Sequence, residues 1–275
     1  MTELEYKFTY DLLFKMVFTK HVKLLKSLVA TLLGLALDSI ELFQIRNPEI
    51  PPETWGDKFC RLDINMIVNG LRVDLEIQIN DEGDFPERSL YYWAREYSTA
   101  LQEGETYSDL PKTIIISIVN FTMFKDYSGF HSEFHALEAT RHTQLTDKFC
   151  LHYFELPKLP LEALSKTDRL RLWLALFKAK TEEDLKQIEE LGVDEMQEAI
   201  QAYKTVAATS EFKEVARLRE RARFNEASAL RNAERKGRRE RNIEIARNLL
   251  GTGLPLDQIA KATGLSKKEV EGLRG

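Results

Sequence analysis

The dipeptide Asn69-Gly70, set between two runs that alternate apolar and polar residues, constrains this chain more than any other feature. A two-residue type I′ turn needs positive φ at both central positions, and Asn-Gly meets that need at little steric cost. The flanking runs, 61–68 and 71–80, read as strands with one buried face. So short a loop also sets the register. Val68 opposes Leu71, Asn65 opposes Asp74, Asp63 opposes Glu76, and Arg61 opposes Gln78. One face then holds Leu62, Ile64, Met66, Val68, Leu71, Val73, Leu75, Ile77 and Ile79. The other holds Arg61, Asp63, Asn65, Arg72, Asp74, Glu76, Gln78 and Asn80, interrupted only by Ile67.

Directly opposed strand residues have Cβ atoms roughly 4.5–5.5 Å apart, and like charges there destabilise a sheet. Asp63 and Glu76 must therefore raise a pKa, find cationic partners, or bind a metal. A hard divalent cation takes carboxylate oxygens, activates water and stabilises a phosphoryl transition state. The plainer alternative is a solvated polar face whose acids pair with Arg61 and Arg72.

A chain of 275 residues can bury a sizeable core in one or two domains. Its two cysteines, Cys60 and Cys150, are too few for a disulfide framework and lack metal-ligand spacing. The N-terminus is charged throughout and carries no secretory signal, and no stretch approaches the roughly 20 apolar residues of a spanning helix. The expectation is a cytoplasmic protein with no membrane partner. The net charge of −5 conceals an asymmetry: residues 211–250 carry 12 Lys/Arg against 7 Asp/Glu. Such a basic arm on an acidic body either binds nucleic acid or is a solvated charged helix.

Along the chain, apolar spacing predicts a helix over 9–36, capped by Thr9 or Asp11. Asp11 and Lys15 share a face of it, as a surface ion pair or as part of a site. A strand over 38–47 and a proline-rich connector over 48–58 precede the hairpin. After the hairpin comes a helix over 87–103, with Pro86 at its start. Its expected apolar stripe is Leu90, Tyr91, Ala94, Tyr97 and Leu101. Arg88, Tyr92 and Arg95 project elsewhere, suited to stacking and phosphate pairing or to packing with snorkelling arginines. The β-branched run 112–121 predicts a central strand buried on both faces. Strands over 133–139 and 149–156 follow, then helices over 167–179 and from Thr181, with helical character through 195–250.

The stretch 256–270 reads as helix, glycine turn, serine cap, helix. Ala260, Gly264 and Val270 suit the close packing, positive φ and core contact of a helix-turn-helix. Lys267 and Lys268 open its second helix, which is short and has no third helix to support it in this reading. The alternative is a helical hairpin for packing or self-association.

Taken together, these residues resemble the Rpn family of recombination-promoting nucleases, also described as putative transposases, within the PD-(D/E)XK superfamily. The likeness rests on Asp11-Leu12-Leu13-Phe14-Lys15, on Asp63, on Glu76-Ile77-Gln78, on Arg88 with Tyr91 and Tyr92, on Gly104 with Tyr107, and on the apolar strand 114–118. It covers about residues 6–160, and the helical tail is similar too. The resemblance implies an α/β fold, an αβββαβ core with a mixed sheet and flanking helices, followed by a helical C-terminal region. It implies domains over 1–160 (nuclease-like), 161–250 (charged helical extension) and 251–275 (helix-turn-helix-like). Asp63 and Glu76 would ligate Mg²⁺, or another divalent cation such as Mn²⁺ or Ca²⁺. Asp11 would be a helix-borne acid. Gln78 stands where many superfamily members have lysine, and Leu62 stands where proline precedes the first acid. A glutamine still orients water by hydrogen bonds.

The expected function is a metal-dependent DNA endonuclease with catalytic Asp63, Glu76, Gln78 and Asp11. Arg88, Tyr92, Arg95 and Lys15 would bind substrate. The rival readings are an inert DNA-binding or self-associating module on a nuclease scaffold, and a protein-interaction adaptor that forms a homo-oligomer through the long C-terminal helix.

Overall fold

In the computed structural model, Asn69 and Gly70 adopt φ of 48° and 82°, both positive as the turn requires. The Asn69 side chain also ties the turn down, accepting from the Glu41 and Leu42 N–H groups and donating to the Ser39 carbonyl. The structure describes residues 2–46, 49–50, 60–61, 63–162 and 164–274. Most of the proline-rich connector, and Leu62, lie outside the described residues.

The chain forms two compact units, Met1–Phe212 and Lys213–Gly275. In the first, helices α1 (Asp11–Lys20) and α2 (Val22–Leu32) precede strands β1 (Phe43–Ile45), β2 (Glu49–Ile50), β3 (Cys60–Arg61), β4 (Ile64–Val68) and β5 (Leu71–Gln78). Helix α3 (Phe85–Ser98) leads to β6 (Thr113–Val119), β7 (His131–Phe134) and β8 (Phe149–Glu155). Helices α4 (Arg169–Lys178), α5 (Glu182–Glu189) and α6 (Asp194–Ala208) follow. The main sheet has the order β1-β4-β5-β6-β8-β7, and β2 pairs with β3 separately. β6 lies between β5 and β8, parallel to both and buried at every residue, as its apolar run demands. This is the mixed sheet with flanking helices expected of the fold class.

The hairpin register holds from Val68↔Leu71 to Ile64↔Leu75, with Asn65 opposite Asp74. It does not extend to Arg61, which pairs with Glu49 rather than with Gln78. The chain bends at Asp63, so this acid stands just outside the ladder. The predicted helix over 9–36 is two helices, because His21 leaves helical geometry (φ −111°, ψ 70°). Tyr10 is the N-cap in place of Thr9 or Asp11, without a side-chain bond. The predicted strand 38–47 shrinks to three residues behind a 3₁₀ turn at Leu37–Ser39.

One sheet face is the apolar one: Ile64, Met66, Val68, Val73 and Leu75 are buried. Helices α1, α2 and α4 supply further core, in which the rings of Phe14, Phe18, Trp173 and Phe177 pack with centroids 5.2–6.0 Å apart. Each such side chain contributes about 1.5–3 kcal/mol on burial.

The other face decides against the plainer alternative and overturns the expected stripe of α3. It is not solvated: Asn65, Asp74 and Glu76 are all buried. Nor does α3 use its predicted stripe, since Leu90, Tyr91 and Ala94 are exposed. The helix turns Phe85, Ser89, Trp93 and Glu96 inward. Ser89 bonds the Tyr153 hydroxyl, Trp93 Nε1 donates to the Thr113 carbonyl, and Glu96 accepts from Arg72. The polar half of the sheet selects these partners, because a buried polar group must be hydrogen-bonded.

The second unit carries most of α7 (Ser210–Leu250), then α8 (Leu256–Thr263) and α9 (Lys267–Glu271). Gly264 ends α8 with φ 68°, and Ser266 caps α9 in a capping box with Glu269. The expected lack of a supporting third helix is corrected. The end of α7 serves as one: Ala246 is buried with Ile259, Leu265 and Val270, and Arg239 pairs with Glu269 at 2.7 Å.

Candidate active site

The bend before β4 and the first two turns of α1 bring four charged side chains together. The Asp63 N–H donates to Glu76 Oε1 at 2.8 Å, and Asp63 Oδ2 accepts from the Ile77 N–H at 2.9 Å. These reciprocal bonds substitute for the missing ladder pair and clamp the two acids across the open end of the hairpin. Lys15 then reaches Asp63 Oδ1 at 2.8 Å and Asp11 Oδ1 at 2.9 Å. Asp11 and Lys15 are thus one turn apart on α1, as expected, but the ammonium bridges into the site instead of staying on the surface.

A third acid completes the group. Asp74 lies two residues before Glu76 on β5, so both point to the same face. It is wholly buried. Among the described residues the Asp74 carboxyl has no N–H or hydroxyl donor, and its hydrogen-bonding neighbour is the Glu76 carboxyl. Asp74 stood on the predicted polar face, but sequence reasoning did not include it among the site residues. The i, i+2 spacing of Asp74 and Glu76 on one strand was the available signal.

The electrostatics follow. Burial, then repulsion from Asp63, pushes the Glu76 carboxyl up to about 8. Burial and then Glu76 hold Asp74 well above the usual carboxylate range. Burial also raises Asp63, against the pull of Lys15. For Lys15, burial alone would lower the pKa, but Asp63 and Asp11 outweigh it and leave it raised. Among the described side chains, neither Arg72 nor Arg46 pairs with the trio. Arg72 and Arg46 both bond Glu96, and Arg46 also donates to Asn65 Oδ1 at 3.2 Å. Arg61 has its backbone in β3.

The other predicted residues have these surroundings. Gln78 closes β5 half-buried, its amide donating to the Asn80 carbonyl at 2.8 Å. Arg88 pairs with Glu82 at 2.9 Å and lies over the Phe85 ring. Tyr92 and Arg95 are half-buried on α3, and the Tyr92 ring meets Tyr91 at 6.4 Å.

The donor chemistry, carboxylate oxygens alone, suits a hard divalent cation, although Asp63, Asp74 and Glu76 do not bring one oxygen each within 4.8 Å of the other two, so an ion would have to draw them together. The cluster offers carboxylate oxygens, and among the described residues Lys15 is the one cation paired with them. Asp63, Glu76 and Asp74 are the side chains that would hold the ion.

Two family models match the chain. One, described as PD-(D/E)XK nuclease family transposase, matches residues 8–233. The other, described as Rpn/YhgA-like nuclease family, C-terminal HTH domain, matches residues 239–275. No curated protein and no solved structure matches it.

Proposed function

Because the chain belongs to the PD-(D/E)XK nuclease family of transposases and ends in an Rpn/YhgA-like helix-turn-helix domain, we propose that it is a metal-dependent DNA endonuclease. The observation that carries this reading is the group of acids at the hairpin end, Asp63 clamped to Glu76 with the fully buried Asp74 two residues before it, all three held above the usual carboxylate range by burial. Mg²⁺ suits these oxygens, with Mn²⁺ or Ca²⁺ as substitutes. Bound there, the ion would supply a Lewis acid for the scissile phosphate and lower the pKa of water.

The chain's own residues do the rest. Asp63 and Glu76 lock one another in place, so the site is organised before substrate arrives. Lys15 supplies a cation beside Asp63, whereas many superfamily members carry a lysine on the strand where this chain has Gln78. The Lys15 ammonium is well placed to offset charge on a phosphate oxygen, and Asp11 orients it. Gln78 keeps an amide oxygen for positioning water. Arg88, Tyr92 and Arg95 on α3 are candidates for holding the DNA strand. The basic α7 and the terminal helix-turn-helix add affinity for DNA phosphates.

The test is cleavage of supercoiled plasmid with Mg²⁺. Wild type nicks and linearises it, while Asp63→Asn and Glu76→Gln lose activity at least about 100-fold. Lys15→Met loses a similar factor with DNA binding retained. Equal cleavage by wild type and Asp63→Asn removes the assignment.

Gln78 favours a second reading, an inert module on the nuclease scaffold, since its amide is engaged by Asn80. Salt-sensitive DNA binding with no cleavage under any divalent ion decides for it. Leu218, Phe224 and Leu230 are exposed on α7 and support self-association through that helix. No helix among the described residues is long and apolar enough to cross a membrane.

A further inference from the structure

The far edge of the sheet carries a second cluster that the nuclease chemistry does not use. β7 and β8 pair antiparallel with Glu133 opposite His152. Cys150 lies two residues before His152 and so shares its face. Cys150 Sγ is 3.2 Å from His152 Nε2 and 3.6 Å from Glu133 Oε1, and His152 Nε2 is 3.9 Å from that same oxygen. Tetrahedral Zn–S, Zn–N and Zn–O bonds of ordinary length imply donor separations of roughly 3.4–3.6 Å. The three donors therefore stand close to the spacing of a zinc tripod with no ion to draw them together.

The surrounding shell fits the same reading. His131 Nε2 bonds His152 Nδ1 at 3.0 Å, which leaves His152 Nε2 aimed at the thiol and the carboxylate. His135 Nε2 bonds Glu133 Oε1 at 2.8 Å and steadies that side chain. Ligating imidazoles and carboxylates are commonly oriented by such outer partners. A cavity of about 370 Å³ opens beside the cluster, lined by Glu133, His152, His131 and Lys112 among others. It leaves room for a fourth ligand.

This site is distinct from the acid trio. His152 aligns with Ile116 and hence with Leu75, on the sheet face opposite Glu76 and two strands away. The chemistry differs too: thiolate, imidazole and one carboxylate select a borderline-soft ion, whereas an all-oxygen trio selects a hard one.

We propose that Cys150, His152 and Glu133 form a Zn²⁺ site with an open fourth position facing the cavity. Binding forms Zn–S, Zn–N and Zn–O bonds, and the Cys150 thiol releases its proton to solvent. The inference stands independently of the nuclease reading.

The experiment is titration of chelator-treated full-length protein with Co²⁺, followed by Zn²⁺. The expected result is a thiolate-to-cobalt charge-transfer band that saturates at one ion per chain and disappears when Zn²⁺ displaces it. Cys60→Ser and Asp63→Asn keep the band. Cys150→Ser loses it while retaining the wild-type circular dichroism spectrum. Glu133→Gln, at a half-exposed position, keeps the thiolate band but weakens binding by at least roughly tenfold. Absence of the band in the wild type, its persistence in Cys150→Ser, or unchanged affinity in Glu133→Gln overturns the proposal.

Discussion

Replacing Glu76 with glutamine in metal-free protein should remove a pH-dependent weakness from the fold. The folded state holds the Glu76 proton until about pH 8, whereas the ordinary glutamate value is 4.5. Between these values the unfolded chain has lost a proton that the folded chain keeps. Stability therefore falls as pH rises through the interval, by about 1.4 kcal/mol per pH unit. Across 4.5 to 8 that amounts to on the order of 3–5 kcal/mol. Asp74 is raised by the same burial and by Glu76, so it adds a loss of the same sign. Glutamine keeps an Oε1 acceptor for the Asp63 N–H and carries no charge, so the variant retains the clamp and flattens the profile. Urea denaturation from pH 5 to 9 in the presence of chelator measures both curves. The wild type should lose stability steadily up to about pH 8, and Glu76→Gln should lose much less. Adding Mg²⁺ at pH 8.5 should restore wild-type stability and leave the variant unmoved, because an ion that binds only the folded state stabilises it. A flat wild-type profile, or equal slopes in the two proteins, would refute the argument that these carboxyls are held together without enough cations.

Two further perturbations probe the scaffold. Glu96→Ala deprives Arg72 and Arg46 of their shared acceptor on α3 and should cost about 2–3 kcal/mol in denaturant midpoint experiments, mainly through the charge left on half-buried Arg72; a loss under about 1 kcal/mol would show that water readily replaces the carboxylate. Gly264→Ala forces a Cβ onto a φ of 68° and should cost about 1 kcal/mol. Hydrogen exchange should then quicken in 256–274 and stay unchanged in the sheet.

Local rules carried much of this protein. Asn69-Gly70 and strict alternation determined the hairpin and its register as far as Ile64, because turn geometry and a period of two leave no other pairing. An unbroken β-branched run marked β6 as central. Gly264 and Ser266 marked the terminal turn and cap. These signals depend only on neighbours in the chain. The resemblance added the fold and placed Asp63 and Glu76 in one site, but not their surroundings.

Tertiary structure decided what covers each face. Alternation could not tell a solvated polar face from a buried one, since that depends on where α3 lands. Once it lands there, Ser89 and Glu96 face inward and the apolar Leu90 and Tyr91 face solvent. Periodicity placed Asp11 and Lys15 together but not against Asp63, a contact spanning 48 residues of sequence. The Cys150, His152 and Glu133 cluster carries no ligand spacing along the chain, because antiparallel pairing of two separate strands creates it. A sequence records which residues are adjacent in the chain. Which charges share a low-dielectric space, and therefore what chemistry they can do, is determined when the elements pack.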